Sequence, residues 1–193
     1  MANELSGRRI AILAASGVEQ VELEQPRKAV EDAGATTTLV SIDTGEIQAM
    51  NGDINPGDKS TVDAAVGSVS ADDFDGLILP GGTCNPDTLR QNADVIRFVQ
   101  AIFAAGKPVG AICHAPWTLV EADLVRGRTL TSFPSLRTDI RNAGGTVVDE
   151  EVVTDDGLVT SRNPNDLDAF CAKIVEEFAE GAHTPREGAP AQA

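Results

Sequence analysis

The chain has 193 residues, of which 41% are hydrophobic, and it carries 30 acidic against 15 basic side chains for a formal net charge of −15. This length fits one domain, and the acidic balance argues against nucleic acid or an anionic membrane as a partner, since both require basic patches. There is neither an apolar run of ~18 residues nor a signal-peptide pattern, and an odd number of cysteines, three, is typical of a reducing compartment. We therefore expect a cytoplasmic protein.

The first part of the chain alternates strand and helix patterns. Residues 9–14 predict a short buried strand, and the segment after it has helical periodicity that ends at Gly34. Within that segment Pro26 is tolerable only in the first turn of the main helix. Residues 36–42 predict a β-branched strand, and residues 45–70, rich in Gly, Asp, Asn and Ser, predict a hairpin and loops.

The second part continues the alternation. Strands are predicted at 74–82, 108–112 and 128–132, a hairpin turning at Asp-Asp-Gly at 152–161, and helices at 93–106, 115–124, 135–145 and 163–180. This order predicts a single α/β domain over residues 1–180, with a mostly parallel sheet covered on both faces. Residues 181–193, rich in Pro, Ala and Gly, are expected to form a disordered tail.

Two loops follow consecutive core strands, one at Gly81-Gly82 and one at Cys113-His114. Ligands of parallel sheets bind at this carboxyl edge. A cysteine where a strand turns into a helix meets unpaired amides and a positive dipole, which lower the thiol pKa and can hold an oxyanion. Pro116 suits the first turn of such a helix. The alternative is an inert core thiol, but the position beside one of two histidines favours a nucleophile.

Four segments resemble one known family. "PGGTCNPDTLR", "GKPVGAICHAPWTLVEADLVRGRTLTS", "DIRNAGG" and "LVTSRNPNDLDAF" are together similar to the PfpI type of intracellular cysteine peptidases and stress proteins, within the class I glutamine amidotransferase-like superfamily. The resemblance covers residues 8 to 178. It implies a flavodoxin-like three-layer sandwich with a nucleophile elbow, Cys113 as the nucleophile and His114 as its partner. Backbone amides at Gly81, Gly82 and His114 would then hold the oxyanion.

The resemblance also places two acids. Glu22 matches the buried glutamate that meets the sulfur in the family, where it would donate a hydrogen bond or shuttle a proton; for Glu19 we expect only a solvated acid at a helix start. A catalytic histidine normally needs an orienting group, and none is obvious near His114 in the sequence. In the family this group is an acid from a neighbouring subunit. The matching residue is Asp87, one methylene shorter than the family's glutamate; the alternative is that Asp87 only starts a helix after Pro86.

Several activities and sites are not expected. The amidotransferase triad needs a late His-x-Glu, whereas the one histidine after His114 is His183, which is followed by Thr-Pro. With two histidines and no cysteine pair we expect no metal and no cofactor. Cys84 is expected to be a small residue buried at a loop or at an interface, with a resolving thiol as the alternative. Cys171 is expected to be a core residue. Trp117 is expected either to line the pocket or to pack between helices.

The predicted function is a cysteine-dependent hydrolase or lyase that attacks carbonyls in a stress-protection role. The resemblance leaves peptidase, deglycase and glyoxalase-like activities open, so the substrate is a small carbonyl compound or a peptide. The competing interpretation is a non-catalytic stress protein, either a redox sensor with an oxidisable Cys113 or a chaperone. A catalytic acid supplied between subunits implies a homodimer or a hexamer.

Overall fold

The computed structural model describes residues 3–184. The strands are β1 (Arg9–Leu13), β2 (Val18–Glu19), β3 (Thr36–Ser41), β4 (Gly45–Asn51), β5 (Asn55–Val62), β6 (Ala64–Ala65), β7 (Gly76–Leu79), β8 (Val109–Ile112), β9 (Thr129–Leu130), β10 (Thr146–Val147), β11 (Val152–Asp155) and β12 (Leu158–Ser161). The helices are α1 (Gln20–Asp32), α2 (Cys84–Arg90), α3 (Ala93–Ala104), α4 (Pro116–Glu121), α5 (Arg137–Asn142) and α6 (Leu167–Glu180).

The central sheet has seven strands in the order β11-β12-β8-β7-β1-β3-β6. All of its neighbouring strands pair in parallel except β11, which forms an antiparallel hairpin with β12. The strands β7 and β8 read Gly-Leu-Ile-Leu and Val-Gly-Ala-Ile, and every residue in them is buried. Such continuous apolar runs are typical of strands covered on both faces. The predicted mostly parallel sheet and the hairpin at 152–161 are confirmed.

Two apolar layers cover the sheet. On β1, Ala11 and Leu13 face a core that contains side chains of α2, α3, α4 and α5. Ile10 and Ile12 point to the opposite face and pack in a second core with side chains of α1 and α6. Each fully buried aliphatic side chain of this kind stabilises the fold by about 1.5–3 kcal/mol. The molecule is therefore the three-layer, flavodoxin-like sandwich that the sequence predicts.

A small second sheet, in the order β2-β4-β5, lies beside the main one. Its hairpin, β4–β5, confirms the excursion predicted within residues 45–70, and β6 after it forms the edge of the central sheet. At the hairpin tip both Gly52 and Asp53 have positive φ, +62° and +65°. Glycine and aspartate are among the residues that adopt this left-handed conformation at the lowest cost.

The expectation for Pro26 is wrong. Helix α1 begins at Gln20, so Pro26 lies inside it and is buried. Because proline has no N–H, the helical hydrogen bond to the carbonyl of Glu22, four residues earlier, cannot form. Starting the helix at Gln20 instead of near Pro26 places Glu22 in its first turn, which is the part of α1 nearest the carboxyl edge of the sheet.

The end of the described chain lies against the domain. After α6, His183 donates its backbone N–H to the Gly106 carbonyl at 2.8 Å, and its Nε2 lies 2.9 Å from Glu177 Oε1. Of the predicted tail 181–193, residues 185–193 lie outside the described residues. Within residues 3–184 no helix combines the length and the apolar character that crossing a bilayer demands.

Candidate active site

Cys113 lies at a sharp turn between β8 and α4. Its φ is +64°, a conformation that costs a non-glycine residue about 1–3 kcal/mol and persists only where the surroundings fix it. Two backbone hydrogen bonds do so here, because the Cys113 N–H donates to the Ser161 carbonyl at 3.0 Å and its carbonyl accepts the Phe133 N–H at 2.9 Å. Pro116 then begins α4. This geometry is that of the predicted nucleophile elbow.

The sulfur of Cys113 is enclosed, with 6% of the residue exposed. Burial, followed by the nearby Glu22 charge, raises the pKa of the Cys113 thiol, whereas the backbone amides of Gly82 and His114 face the sulfur and lower it. The sequence-based expectation of a lowered pKa relied on the dipole of the following helix. That helix, α4, has six residues, too few for a strong dipole, so the desolvation of the thiol is not offset.

Glu22 is fully buried in the first turn of α1. Its Oε2 accepts the Gly81 N–H at 2.9 Å. Its Oε1 is buried without an N–H or O–H donor, and the polar side chain that interacts with this carboxyl is the Cys113 thiol. Burial raises the pKa of Glu22 to about 8. The sequence-based placement of Glu22 beside the sulfur thus matches the structure.

The carboxyl and the thiol act as one titrating pair. Burial disfavours the charged form of each. The negative charge of Glu22 raises the pKa of the Cys113 thiol, whereas the hydrogen bond from the thiol lowers the pKa of Glu22. The pair therefore carries no more than one negative charge near neutral pH. Two amides, those of Gly82 and His114, face the sulfur, whereas Glu22 accepts the single amide of Gly81. These two amides stabilise the thiolate that forms when the Cys113 proton passes to Glu22.

The Gly81-Gly82 loop approaches Cys113 closely because neither residue has a side chain. A Cβ on Gly81 would lie 2.6 Å from the Cys113 Cβ, and Gly82 has φ +81°. The loop is held by Asn85, a fully buried amide. Asn85 Nδ2 donates to the carbonyls of Pro80 and Gly81 at 2.9 and 3.0 Å, and its Oδ1 accepts the Ala15 N–H at 2.7 Å. Since the Gly81 N–H donates to Glu22, the amides that face the sulfur are those of Gly82 and His114.

His114 is buried with both ring nitrogens engaged. Nδ1 lies 3.1 Å from Cys113 Sγ, and Nε2 lies 3.2 Å from the Ser135 hydroxyl oxygen. The ring stacks on Phe133 with centroids 4.3 Å apart. Burial lowers the pKa of His114, so the neutral imidazole prevails at neutral pH. The sequence shows no obvious orienting group near His114, but the segment after β9 returns to the elbow and brings the Ser135 hydroxyl to Nε2.

Asp87 does not join this cluster within the chain. It is exposed on α2, where Gln91 Nε2 donates to its carbonyl at 2.8 Å and lies 3.4 Å from its Oδ2. Helix α2 begins at Cys84, so Asp87 lies in its first turn and does not start it. A role for Asp87 across a subunit interface stays a prediction.

The other residues singled out from the sequence have varied surroundings. Cys84 is exposed, so it is not buried within the chain, and burial at an interface stays a prediction. Cys171 is half-buried at the edge of the core. Glu19 is not merely solvated, since its carboxylate accepts backbone N–H groups of the β4–β5 hairpin tip. Trp117 packs against the first core, and its Nε1 donates to Asp139 Oδ2 at 2.8 Å.

One group of metal-ligating side chains converges within residues 3–184. The ligand atoms of Glu177, Glu180 and His183 lie within 4.8 Å of one another. This group is next to Gly106 and Gly157, at the amino ends of β8 and β12. It therefore lies at the edge of the sheet opposite Cys113, and the chemistry of the elbow does not involve it.

Known proteins resemble this chain over most of its length. The model of the DJ-1/PfpI family matches residues 8–177. The chain is 39% identical over 164 residues to the Bacillus subtilis protein named "Putative cysteine protease YraA", covering 84% of this chain and 94% of that protein. It is 38% identical over 173 residues to an uncharacterized protein of Staphylococcus haemolyticus, covering 89% of this chain and 98% of the relative.

Solved structures show the same fold. Drosophila melanogaster DJ-1beta superposes with a TM-score of 0.79 at 28% identity, covering 93% of this chain and 91% of that one. A two-domain protein from Anabaena variabilis, with DJ-1/ThiJ/PfpI-like and ferritin-like domains, gives a TM-score of 0.83 at 33% identity. The match covers 89% of this chain and 48% of that longer one. On its sequence and its fold, this chain belongs to the DJ-1/PfpI family.

Proposed function

We propose that the protein is a cysteine-dependent hydrolase or lyase in which Cys113 attacks the carbonyl carbon of its substrate. One observation carries the proposal: Cys113 Sγ lies 3.1 Å from His114 Nδ1, beside a Glu22 carboxyl whose pKa is raised to about 8. A nucleophile in contact with two groups that exchange protons near neutral pH is the arrangement that covalent catalysis requires. An inert core thiol would not need it.

The first step follows from these contacts. The thiolate forms a C–S bond to the carbonyl carbon, and the π electrons move to the carbonyl oxygen. The amides of Gly82 and His114 that face the sulfur are near enough to donate to that oxygen. Glu22 or His114 Nδ1 takes the proton of the Cys113 thiol before the C–S bond forms and returns the same proton to that oxygen or to the leaving group. The Ser135 hydroxyl holds the imidazole through Nε2 during this exchange.

The enclosed sulfur favours a small substrate. Cys113 is 6% exposed, and folded protein segments do not reach an atom at that depth without rearrangement. We therefore place 2-oxoaldehydes and their adducts on amines and thiols ahead of polypeptides, in a stress-protection role. Peptide hydrolysis is the second choice, which the name of the Bacillus subtilis relative supports. We further propose that the active form is a homodimer or hexamer.

Turnover of methylglyoxal and of a glycated amino acid tests the proposal. Wild type should consume at least one of them, and Cys113→Ala should lose that activity entirely. Cys84→Ser and Cys171→Ser are matched controls that should retain it, because neither thiol contacts His114 or Glu22 in the described structure. Equal turnover by wild type and Cys113→Ala would reject the enzyme assignment.

A redox-sensing role is the second candidate, and the hydrogen-bond donors around the Cys113 sulfur favour it. A sulfinate on Cys113, formed by two successive peroxide oxidations that each release water, would accept hydrogen bonds from the Gly82 and His114 amides and from protonated Glu22. Mass spectrometry after graded hydrogen peroxide would detect it. Stoichiometric conversion of Cys113 to the sulfinate in a protein without turnover would favour the sensor over the enzyme.

A further inference from the structure

The tip of the β4–β5 hairpin, residues 51–55, contacts the two segments that build the Cys113 site. On one side, the N–H groups of Gly52 and Asp53 donate to Glu19 Oε2 at 3.0 and 3.4 Å. On the other side, Asp53 Oδ1 accepts the Thr83 N–H at 2.7 Å, and Oδ2 accepts the Thr83 hydroxyl at 2.9 Å. The hairpin tip therefore bridges the start of α1 and the loop that contains Gly82.

Each bridged segment carries a group that interacts with Cys113. Glu19 immediately precedes α1, so it lies three residues before Glu22. Thr83 immediately follows Gly82, whose amide faces the Cys113 sulfur. The two segments also contact each other, since the Glu19 N–H donates to the Gly81 carbonyl at 3.3 Å. The direction of the Gly82 amide consequently depends on where Thr83 is held.

Asp53 adopts an unfavourable backbone conformation in order to make these contacts. Its φ of +65° costs a residue with a side chain on the order of 1 kcal/mol or more, although aspartate and asparagine tolerate it better than most. The two hydrogen bonds from Thr83 hold the Asp53 carboxylate in place and offset this cost. A surface turn without a role in the site would be served equally well by glycine at this position.

We propose that Asp53 is a positioning residue of the Cys113 site, which holds Thr83 so that the Gly82 amide points at the sulfur and stabilises the thiolate. This inference rests on the proposed function in one respect, namely that Cys113 is the reactive group. The hairpin tip thereby controls the reactivity of a thiol that it does not touch.

The negative charge of Asp53 and its hydrogen bonds to Thr83 have opposite effects on the Cys113 thiolate. Two ionisable side chains contact the thiol, Glu22 from α1 and His114 at the elbow. Glu19 and Asp53 act on these partners, since both raise the pKa of Glu22. The negative charge of Asp53 raises the pKa of both Glu22 and His114, and a negative charge near a thiol disfavours the thiolate. Removing the charge should therefore favour the thiolate, whereas releasing Thr83 should disfavour it.

Two substitutions separate these effects. Asp53→Asn and Asp53→Gly both remove the charge, and both residues tolerate the positive φ. Asparagine keeps a side-chain oxygen that can accept the Thr83 N–H, and glycine does not. The two variants thus differ in the contact alone. Asp58→Asn is the control, because Asp58 belongs to the same hairpin but its side chain accepts one hydrogen bond from Gln20 Nε2 and does not contact Thr83.

The measurement is the rate of iodoacetamide alkylation of Cys113 against pH in the full chain, with mass spectrometry separating Cys113 from the other two cysteines. We expect the apparent thiol pKa of Asp53→Gly to lie about one unit above that of Asp53→Asn, roughly a tenfold lower rate at neutral pH, because one hydrogen bond to a charged atom is weakened. Asp58→Asn should match wild type.

Superimposable profiles for Asp53→Asn and Asp53→Gly would overturn the proposal, since Asp53 would then act by charge alone. Thr83→Val, which keeps the N–H and loses the hydroxyl, provides a second test should Asp53→Gly fold poorly. It should raise the thiol pKa, and Thr83→Ser should restore it. Because alkylation needs no turnover, failure of Cys113→Ala to abolish activity would reject the enzyme assignment and leave this result standing.

Discussion

The Ser135 hydroxyl oxygen lies 3.2 Å from His114 Nε2, on the side of the imidazole away from Cys113. This contact supplies, within one chain, the orienting partner that a catalytic histidine requires. The same contact links the protonation of Nε2 to that of Nδ1 and the Cys113 sulfur. When the sulfur is a thiolate, Nδ1–H donates to it and Nε2 accepts the Ser135 hydroxyl; when the thiol carries the proton, the roles of both nitrogens reverse.

Replacing Ser135 with alanine should slow the reaction of Cys113 without unfolding the protein. One neutral hydrogen bond is worth about 1 kcal/mol, so kcat should fall roughly fivefold, and KM should change little because the substrate does not bind through Ser135. The upper limb of the alkylation pH profile should shift as well, which a purely structural defect would not cause.

Two further variants sharpen the Ser135 test. Ser135→Thr keeps the hydroxyl and should recover most of the rate. Thr138→Ala removes a hydroxyl one turn later on α5, where it accepts from Arg141, and should have no effect. A Ser135→Ala variant with wild-type kcat and an unchanged pH profile would show that His114 needs no partner at Nε2.

The sequence predicts the elbow but not its supports. The sequence singles out Cys113 and His114 because they follow a predicted core strand, and parallel topology brings such strand ends to one edge. Glu22 is singled out by the family resemblance. Ser135, Phe133 and Asn85 were missed because their contacts depend on how a loop returns to that edge after several intervening elements. The asparagine three residues after Gly82 is the one signal that the sequence offers.

The sequence predicts the wrong direction for the pKa shift of Cys113, and the reason is different. A strand followed by Pro116 indicates a helix start, but the length of the helix and the depth of the sulfur are properties of the packed molecule. Here α4 has six residues and Cys113 is buried. Desolvation therefore outweighs the helix dipole, and the local pattern alone gave the opposite sign. The position of Pro26 was misjudged likewise, because packing of α1 overrode the preference of proline for a first turn.

Glu22→Gln should simplify the titration of Cys113. In the wild type the carboxyl and the thiol interact, so we expect two steps in the alkylation profile. Glutamine cannot ionise, so the variant should show one step. Turnover should fall about 100-fold or more if Glu22 is the proton donor. Glu24→Gln, an exposed acid on the same helix, should behave as wild type. Equal, small effects from both substitutions would exclude Glu22 from the chemistry.

The same carboxyl should make stability depend on pH. The pKa of Glu22 is about 8 in the folded chain against 4.5 as its ordinary value. Between these values the folded state holds a proton that the unfolded state has released, so this group's contribution falls as pH rises, by about 1.4 kcal/mol per unit. Below pH 4.5 the contribution is fully present.

Urea unfolding of wild type and Glu22→Gln at pH 5.5 and 7.5 measures this dependence. The difference in free energy of unfolding should move in favour of the variant as pH rises, because glutamine does not titrate and all other groups are shared. A difference that stays constant, or that moves towards the wild type, would mean that Glu22 is ionised in the folded chain throughout this range.

The last prediction concerns Asp87 and the assembly of the site. Asp87 is exposed, and its side-chain contact with Gln91 is long at 3.4 Å, so its carboxylate is free to meet a neighbouring chain. Because Ser135 already occupies Nε2 of His114, an Asp87 from another subunit would act on Nε2 by displacing or by polarising that hydroxyl. We expect Asp87→Ala to lower turnover sharply, and equimolar Asp87→Ala and Cys113→Ala chains, mixed by reversible unfolding, to regain activity. An intact site needs Cys113 from one variant and Asp87 from the other, so about a quarter of wild-type sites should re-form in a dimer or a hexamer alike.

Gln91→Ala is the control for disturbing α2. A fully active monomer by light scattering, or Asp87→Ala with unchanged turnover, would leave Ser135 as the sole partner of His114.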